Sequence, residues 1–128
     1  MQVRLRVPVV DDPDLIAEVS HGEIAVLRLV GSADSAATVA LGELLDQIHD
    51  ELISRKTREV VVDVVALDRM AAACLRQLLT WFGRQHNTAD DQRYRIRIRI
   101  LPTMAWQQSL HALSCFDTNT ISIEEIET

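Results

Sequence analysis

The sequence contains few of the residues that cross-link or interrupt a small fold, with 2 cysteines, 3 prolines and 4 glycines among 128 residues. The cysteines, Cys74 and Cys115, have no paired spacing, whereas small secreted domains usually depend on several disulfides. This excludes a disulfide scaffold, and we expect a reducing, cytoplasmic location. The glycines lie apart, at positions 22, 31, 42 and 83, so the sequence has no glycine-rich loop to cradle a phosphate.

The sequence also lacks long apolar segments. No stretch approaches the roughly 18 apolar residues that a membrane-spanning helix needs. Near the start, Arg4 and Arg6 are followed by Asp11 and Asp12 without the intervening run of about seven or more apolar residues that a signal peptide has. We therefore expect neither membrane insertion nor a signal peptide.

Basic residues are in the minority, with 13 Lys and Arg against 19 Asp and Glu and a net charge of −6. A mildly acidic domain has no overall attraction to nucleic acid or to an anionic membrane. Aromatic residues make up only 4% of the chain, and single-stranded nucleic acid is usually bound through stacked aromatic side chains. The composition therefore favours a protein partner over nucleic acid.

Hydrophobic periodicity predicts alternating strands and helices. Residues 2–7 alternate polar and apolar, as in a strand with one polar face, and residues 38–54 repeat their leucines at helical spacing. The other predicted elements are a hairpin of strands 15–20 and 24–30 that ends at Gly31, strands over 60–65, 94–100 and 121–126, a helix over 71–86, and a helix that begins at Pro102 with Thr103 as its N-cap.

The order of these elements predicts an α/β fold. Strands separated by helices pair in parallel through right-handed crossovers, whereas the hairpin pairs antiparallel. We therefore expect a mixed, mostly parallel β-sheet with the helices mainly on one face. The whole chain, residues 1–128, is predicted to be a single domain in which residues 1–14 are an N-terminal strand extension.

Three segments resemble a known family. The first is IAVLRLVGSADSAATVALGELLDQI, in which Gly31 follows an apolar strand and Asp34 precedes a helix. The second is VVVDVVALDRMAAACLRQLL, with Asp63 in its strand and Leu75 after a turn, and the third is RIRILPTMAWQQSLHALSCFD. In this order they resemble the STAS domain, the family of bacterial anti-sigma factor antagonists, over roughly residues 15–126, which implies the same fold.

The turn before the second helix departs from that family. The family has an Asp at the first of four turn positions and, at the third, the Ser or Thr that a partner kinase phosphorylates. Here the four positions are occupied by Ala71, Ala72, Ala73 and Cys74. Because Ala73 has no hydroxyl, the resemblance implies a degenerate phosphorylation motif, and the added charge that would remodel partner docking cannot be placed there.

The resemblance implies docking through the start of the second helix. Small alanine side chains let a partner approach closely, methionine adapts to different surfaces, and arginine pairs with carboxylates. The predicted partner-binding residues are Arg69, Met70, Ala72, Ala73 and Arg76. An alanine cluster that only packs under a neighbouring loop is the alternative interpretation of the same residues.

The function implied is a non-catalytic protein-interaction domain of bacterial signalling or sigma-factor regulation, a constitutive binder or scaffold without a phosphorylation switch. Its partner would be an anti-sigma factor, a switch kinase or another STAS-type subunit, and the sequence is compatible with a homodimer. The alternative is a regulatory STAS-like subunit of a transport complex.

Residues for catalysis or metal binding are not grouped in the sequence. The histidines, His21, His49, His86 and His111, lie in four different predicted elements, and no cluster has metal-ligand spacing. We interpret His49 as lying on the solvated side of its helix. We expect no enzyme activity, metal or cofactor.

Two single residues have competing interpretations. Asp63 lies within an apolar strand, and a hydrogen bond to the neighbouring loop is favoured over a role as an active-site acid. A redox role for Cys74 would need a nearby resolving cysteine, so a small buried residue is favoured. Cys115 is likewise interpreted as a packing residue.

The clearest predicted surface feature is a basic strip. Arginines 93, 95, 97 and 99 alternate with apolar residues, and Arg4 and Arg6 extend the strip if the first strand joins the sheet. Cross-strand pairing with Glu124, Glu125 and Glu127 is preferred over a protein-partner surface, and both are preferred over a nucleic-acid surface.

The two tryptophans are assigned differently. Trp106 belongs to an apolar stripe and is predicted in the core. Trp81 falls outside the predicted inner face of the second helix, so it is either an exposed anchor for a partner or partly covered by a loop. That inner face is predicted to consist of Ala71, Leu75, Leu78, Leu79 and Phe82.

Overall fold

A computed structural model of the chain describes residues 15–89, 92–108, 110–111 and 120–126, and the backbone of residues 3–8. The strands are β1 Val3–Pro8, β2 Leu15–His21, β3 Ala25–Ala33, β4 Glu59–Asp63, β5 Leu67–Met70, β6 Arg95–Ile100 and β7 Ile121–Glu125. The helices are α1 Thr38–Ser54, α2 Ala72–His86 and α3 Ala105–Gln108. The predicted α/β order is confirmed, with β5 as an additional strand.

The sheet is mixed and mostly parallel, as predicted. Its strands follow the order β1-β2-β3-β4-β6-β7, and β5 pairs with β3 beside this path. The pairs β1–β2 and β2–β3 are antiparallel, whereas β3–β4, β3–β5, β4–β6 and β6–β7 are parallel. The N-terminal strand therefore extends the chain's own sheet at the edge of the hairpin.

One face of the sheet is buried under the helices. Leu27 and Val62 are register partners on β3 and β4, and both are buried. Their neighbours Arg28 and Asp63 are also register partners, but Arg28 is exposed and Asp63 half-buried. Successive right-handed crossovers that advance in one direction place their helices on the same side, which explains why burial alternates along β2 and β6. In the central strand β4, Val60, Val61 and Val62 are all buried.

Gly31 does not end β3, contrary to the prediction. The strand continues to Ala33, with a shift in register between Gly31 and Ser32. Gly31 has a φ of 102°, a backbone conformation that glycine adopts readily and other residues avoid. Its N–H donates to the carbonyl oxygen of Ala66 at 3.1 Å, and beyond this kink β3 is free to pair with β5.

Helix α1 has the predicted bounds, Thr38–Ser54. Its apolar residues recur at spacings of three and four, which forms one stripe along the helix. The residues buried on this stripe are Leu41, Leu44, Leu45, Ile48, His49 and Leu52. The inclusion of His49 corrects the prediction that this side chain lies on the solvated side.

The buried face of α2 differs from the predicted one. Leu75 and Leu79 are only half-buried, and Ala71 precedes the helix. Trp81 is 2% exposed, so its interpretation as an exposed anchor is wrong. The face is made by Cys74, Leu78, Trp81, Phe82 and Gln85. Positions 74, 78, 81 and 85 share one side of a helix, but Cys and Gln are weak apolar signals, which concealed this face in the sequence.

Helix α3 is short and begins later than predicted. It starts at Ala105, so Thr103 is not its N-cap. Trp106 is half-buried against the core rather than inside it, and its indole N–H donates to the carbonyl oxygen of Leu67 at 3.1 Å. The predicted packing residue Cys115 lies outside the described residues.

Candidate protein-binding site

The start of α2 is positioned by β3 and β5, which bring the chain to the carboxyl edge of the sheet. The N–H of Ala71 donates to the carbonyl oxygen of Ala33 at 2.7 Å. Ala71 is the N-cap residue, with extended backbone angles and no side-chain cap. The helix therefore begins without the capping hydrogen bond that Ser, Thr, Asp or Asn supplies.

The four turn positions differ in exposure. Ala72 is exposed, Ala71 and Ala73 are half-buried, and Cys74 is fully buried. The Cys74 thiol donates to the carbonyl oxygen of Asp34 at 3.2 Å, and its sulfur lies 3.7 Å from the Thr38 hydroxyl. The interpretation of Cys74 as a small buried residue is confirmed, and the thiol ties the turn before α1 to the first turn of α2.

The predicted docking residues form one surface around this helix start, but they are not equally accessible. We call Arg69, Met70, Ala72, Ala73 and Arg76 the α2-start surface. Ala72 and the two arginines are exposed, whereas Met70 is half-buried and packs against the core.

The two arginines of the α2-start surface differ in their partners. The Arg69 guanidinium donates to an Asp34 carboxylate oxygen at 2.7 Å. No ion pair joins Arg76 to any residue within the described ranges. Arg76 is therefore the cation of this surface that is available to a partner.

An exposed apolar residue that the sequence did not predict lies in the first turn of α1. Val39 is 72% exposed, although it is flanked by Thr38, whose hydroxyl reaches the sulfur of Cys74. Single exposed apolar residues are common on protein surfaces. In the sequence, Val39 precedes the apolar stripe of α1 by two residues. Its spacing therefore gave some indication of its position, but its exposure depends on how α1 packs against α2.

At the other end of the helices lies a buried hydrogen-bonded network. The indole N–H of Trp81 donates to the hydroxyl oxygen of Tyr94 at 2.7 Å, and the same hydroxyl lies 2.7 Å from Nδ1 of His49. Among the described residues, Nδ1 of His49 is the acceptor within reach of the hydroxyl proton. With the proton on the hydroxyl directed there, Nδ1 accepts and the ring proton belongs on Nε2.

Burial sets the ionisation of this network. It lowers the pKa of His49 below its usual 6.5, and the nearby Arg84 guanidinium adds to the effect. Burial also raises the pKa of the Tyr94 hydroxyl well above its usual 10. Both groups are therefore neutral near pH 7, which makes the network a structural link between α1, α2 and the residue before β6.

The remaining candidates for chemistry are dispersed. Asp63 accepts a hydrogen bond from the N–H of Val65 at 3.0 Å, which confirms its interpretation as a residue that bonds the loop after the strand. No group of three or more His, Cys, Asp or Glu side chains with metal-binding geometry occurs within the described part of the chain. None of the described helices is long and apolar enough to cross a membrane.

The predicted basic strip is charge-paired at two of its arginines, Arg97 and Arg99. Arg97 lies 2.9 Å from a Glu59 oxygen and 3.4 Å from a Glu124 oxygen. Arg99 lies 3.2 Å from Glu124 and 3.9 Å from Asp63. The preferred interpretation, cross-strand pairing, is therefore confirmed for these two arginines.

Other parts of the strip prediction need correction. Arg93 precedes β6, and its guanidinium donates to the carbonyl oxygens of His86 and Thr88, so it does not belong to the strip. Glu125 lies 3.2 Å from His111 instead of pairing with an arginine, and Glu127 lies outside the described residues. Because β1 and β6 are separated by three strands, positions 4 and 6 do not extend the strip.

One register row alternates in charge from β2 to β7 on the open face, the side of the sheet away from the helices. Its successive Cα partners are Glu18, Arg28, Asp63, Arg99 and Glu124. Opposite charges on neighbouring strands stabilise a pairing, and like charges oppose it. The row therefore favours this strand order and register, and it gives the open face a balanced rather than a basic character.

Comparison with solved structures identifies the fold. The chain is similar to the crystal structure of an anti-sigma factor antagonist from Mycobacterium paratuberculosis, with a TM-score of 0.61. The match covers 88% of this chain and 90% of that one, at 14% sequence identity. Neither the protein-family models nor the curated protein sequences give a match. The chain therefore has the fold of this anti-sigma factor antagonist, as the STAS resemblance of its sequence implied.

Proposed function

We propose that this chain is a non-catalytic, cytoplasmic protein-interaction domain that binds its partner constitutively through the α2-start surface. The observation that carries the proposal is the combination of an anti-sigma factor antagonist fold with a helix start that exposes alanine and arginine. In the STAS family the corresponding turn carries a phosphorylatable hydroxyl. Ala71, Ala72 and Ala73 leave this turn without a hydroxyl, so docking here would not be switched by phosphate.

The chemistry of the surface favours a protein partner with acidic groups around an apolar patch. Arg76 is exposed and makes no ion pair among the described residues, so its planar guanidinium can pair with a partner carboxylate. Ala72 supplies exposed apolar area on the same helix start, and Val39 is exposed in the first turn of α1. An anti-sigma factor, a switch kinase or a second STAS-type subunit in bacterial signalling or transcription regulation would present such a surface.

A pair of charge reversals tests this proposal. Proteins captured by the wild-type chain from bacterial cytosol are identified by mass, and the affinity of the purified partner is then measured for Arg76→Glu and for Arg95→Glu. Arg95 is a matched control, because it is also exposed but lies on β6. We expect Arg76→Glu to weaken binding at least tenfold, about 1.4 kcal/mol, and Arg95→Glu to change it less than twofold.

If Arg95→Glu weakened binding and Arg76→Glu did not, the partner would bind the open face of the sheet. Equal affinities for the wild-type chain and both variants would show that neither surface binds it. Either result would overturn the proposed docking site.

A further inference from the structure

A cavity of about 450 Å³ lies between the end of β2 and the second half of α1. It is at the far end of α1 from the α2-start surface. Its apolar lining residues are Val19, Leu44 and Ile48. Its polar lining residues are His21, Gln47, Asp50, Glu51, Ser54 and Arg55. Sites for small molecules have this size and this combination of an apolar lining with a few polar groups.

The imidazole of His21 is the unusual group in this cavity. Leu15, Ala17 and Val19 precede it on the inward side of β2, and all three are buried. His21 occupies the next inward position and is itself 7% exposed. Its Nδ1 is sealed from solvent without a hydrogen-bond partner, and no hydrogen bond joins Nε2 to the described residues. Buried polar groups without a partner are rare in folded proteins.

The tautomer of His21 follows from this arrangement. An N–H group sealed without an acceptor is less favourable than a sealed lone pair, so the proton of the neutral ring belongs on Nε2. Burial lowers the pKa of His21 below 6.5, Arg55 lowers it further, and Glu51 acts in the opposite direction. The ring is therefore a neutral hydrogen-bond donor through Nε2 near pH 7.

The charges around the cavity define which ligands it suits. The Arg55 guanidinium donates to Glu51 at 2.8 Å, so the cation of the lining is already paired. Asp50 is exposed and lies 3.9 Å from Arg84, which does not line the cavity, so the lining offers no unpaired cation to an anionic ligand. A charged ligand would also lose hydration when it enters a partly apolar site, and this desolvation costs free energy.

We propose that this cavity binds a small molecule with an apolar, ring-sized body and one neutral oxygen that accepts a hydrogen bond from His21. Alcohols, phenols and ketones belong to this class. The site is independent of the proposed docking function, because it shares no residue with the α2-start surface.

The experiment uses three probes with one aromatic body: 2-naphthol, 2-naphthoate and 2-naphthylmethylammonium. Each is titrated into the full chain near pH 7.5, and the imidazole and methyl resonances are followed by NMR. We expect 2-naphthol to shift the His21 and Leu44 resonances saturably and to bind at least tenfold more tightly than either charged probe. Equal binding of 2-naphthoate would overturn the neutral ligand class, and the absence of saturable shifts at these residues would overturn the site.

Two variants on α1 control for non-specific binding. Gln47 is exposed and lines the cavity, whereas Glu43 is exposed one turn earlier and does not line it. Gln47→Trp is expected to abolish naphthol binding and Glu43→Trp to leave it within twofold of the wild-type value.

His21→Phe, which keeps the ring but removes the donor, is expected to weaken naphthol binding roughly three- to tenfold, the range of one neutral hydrogen bond. Unchanged binding in Gln47→Trp would overturn the site even if His21→Phe does not fold. Unchanged binding in a folded His21→Phe would overturn the role of the imidazole.

Discussion

The two ends of the helix layer are built from different chemistry. At the start of α2 the residues are small, the helix has no side-chain cap, and Val39 and Ala72 are exposed. At the opposite end, Tyr94 links Trp81 of α2 to His49 of α1 through buried hydrogen bonds. The first end joins α2 to the turn before α1 through the buried thiol of Cys74, whereas the second end fixes the relative position of the two helices through three hydrogen-bonded side chains. Binding surfaces commonly sacrifice stability in this way, which is why we place partner docking at the α2 start.

Ion pairs reinforce the same difference. Arg84 of α2 contacts Asp46 of α1 and lies 3.9 Å from Asp50, and Arg93 donates to the last carbonyls around α2. At the α2 start, the Arg69–Asp34 pair is exposed, and exposed pairs contribute little to stability. Substitutions at the two ends should therefore separate into those that change stability and those that change binding.

The largest effect on stability is expected from Tyr94→Phe. The substitution removes a hydroxyl and leaves both the indole N–H of Trp81 and Nδ1 of His49 without a partner inside the protein. Each buried group left unpaired costs about 1–3 kcal/mol, so for two groups the free energy of unfolding should fall by about 2–6 kcal/mol. Urea denaturation measures it, and a loss below about 1 kcal/mol would show that the network does not hold this end together.

The two buried histidines, His49 of this network and His21 of the cavity, predict a dependence of stability on pH. The pKa of His49 and that of His21 are lowered in the folded chain, so the unfolded chain takes up protons at a higher pH than the folded chain does. Stability is then fully present above pH 7 and declines as the pH falls below the ordinary histidine value of 6.5. Thermal unfolding between pH 7.5 and 5 should show this decline, and His49→Gln should reduce it. A stability that rises on acidification would contradict the assignment of neutral histidines.

A smaller gain is expected from capping α2. Ala71→Asp supplies a carboxylate at the N-cap position and should raise the free energy of unfolding by about 0.5–2 kcal/mol. Ala72→Asp is the control, because one residue later the carboxylate acts only through the helix dipole, an effect of about 0.3–1 kcal/mol. Equal stabilities for the two variants would show that the uncapped start is not a local weakness.

The smallest effect is expected on the open face of the sheet. Arg99→Gln removes the contacts to Glu124 and Asp63, and because partly exposed pairs are screened by water it should cost less than about 1 kcal/mol. The cost should shrink in high salt. Arg95→Gln on the same strand is the control and should cost nothing measurable. An effect above about 2 kcal/mol would mean that the charge row stabilises the sheet as much as its core does.

The sequence predicted helices and strands correctly where their local hydrophobic pattern was strong. Helix α1 and the strand over residues 95–100 have an undisturbed period, so both were located correctly. The short strand β5 was missed, because Leu67–Met70 has no alternation and pairs only where β3 bends at Gly31. A pairing that depends on a distant kink leaves no local signal.

The polar residues were harder to predict than the strands and helices. The burial of His49 and Trp81 depends on Tyr94, which follows them by 45 and 13 residues, so neither could be assigned from its own helix. The α2 start was located from its resemblance to a family turn, but the exposure of Val39 in the first turn of α1 became known only from the structure.

The central claim is that the α2 start binds a partner without contributing to stability, and Ala73→Asp tests it most directly. A carboxylate in the first turn of α2 is favoured by the helix dipole, so the midpoint of thermal unfolding should shift by less than a few degrees. Affinity for the captured partner should fall at least tenfold, about 1.4 kcal/mol, whereas Ala73→Ser, which adds a hydroxyl without a charge, should stay within twofold of the wild-type affinity. An Ala73→Asp chain that unfolds, or one that folds and binds its partner as tightly as the wild type, would contradict the account.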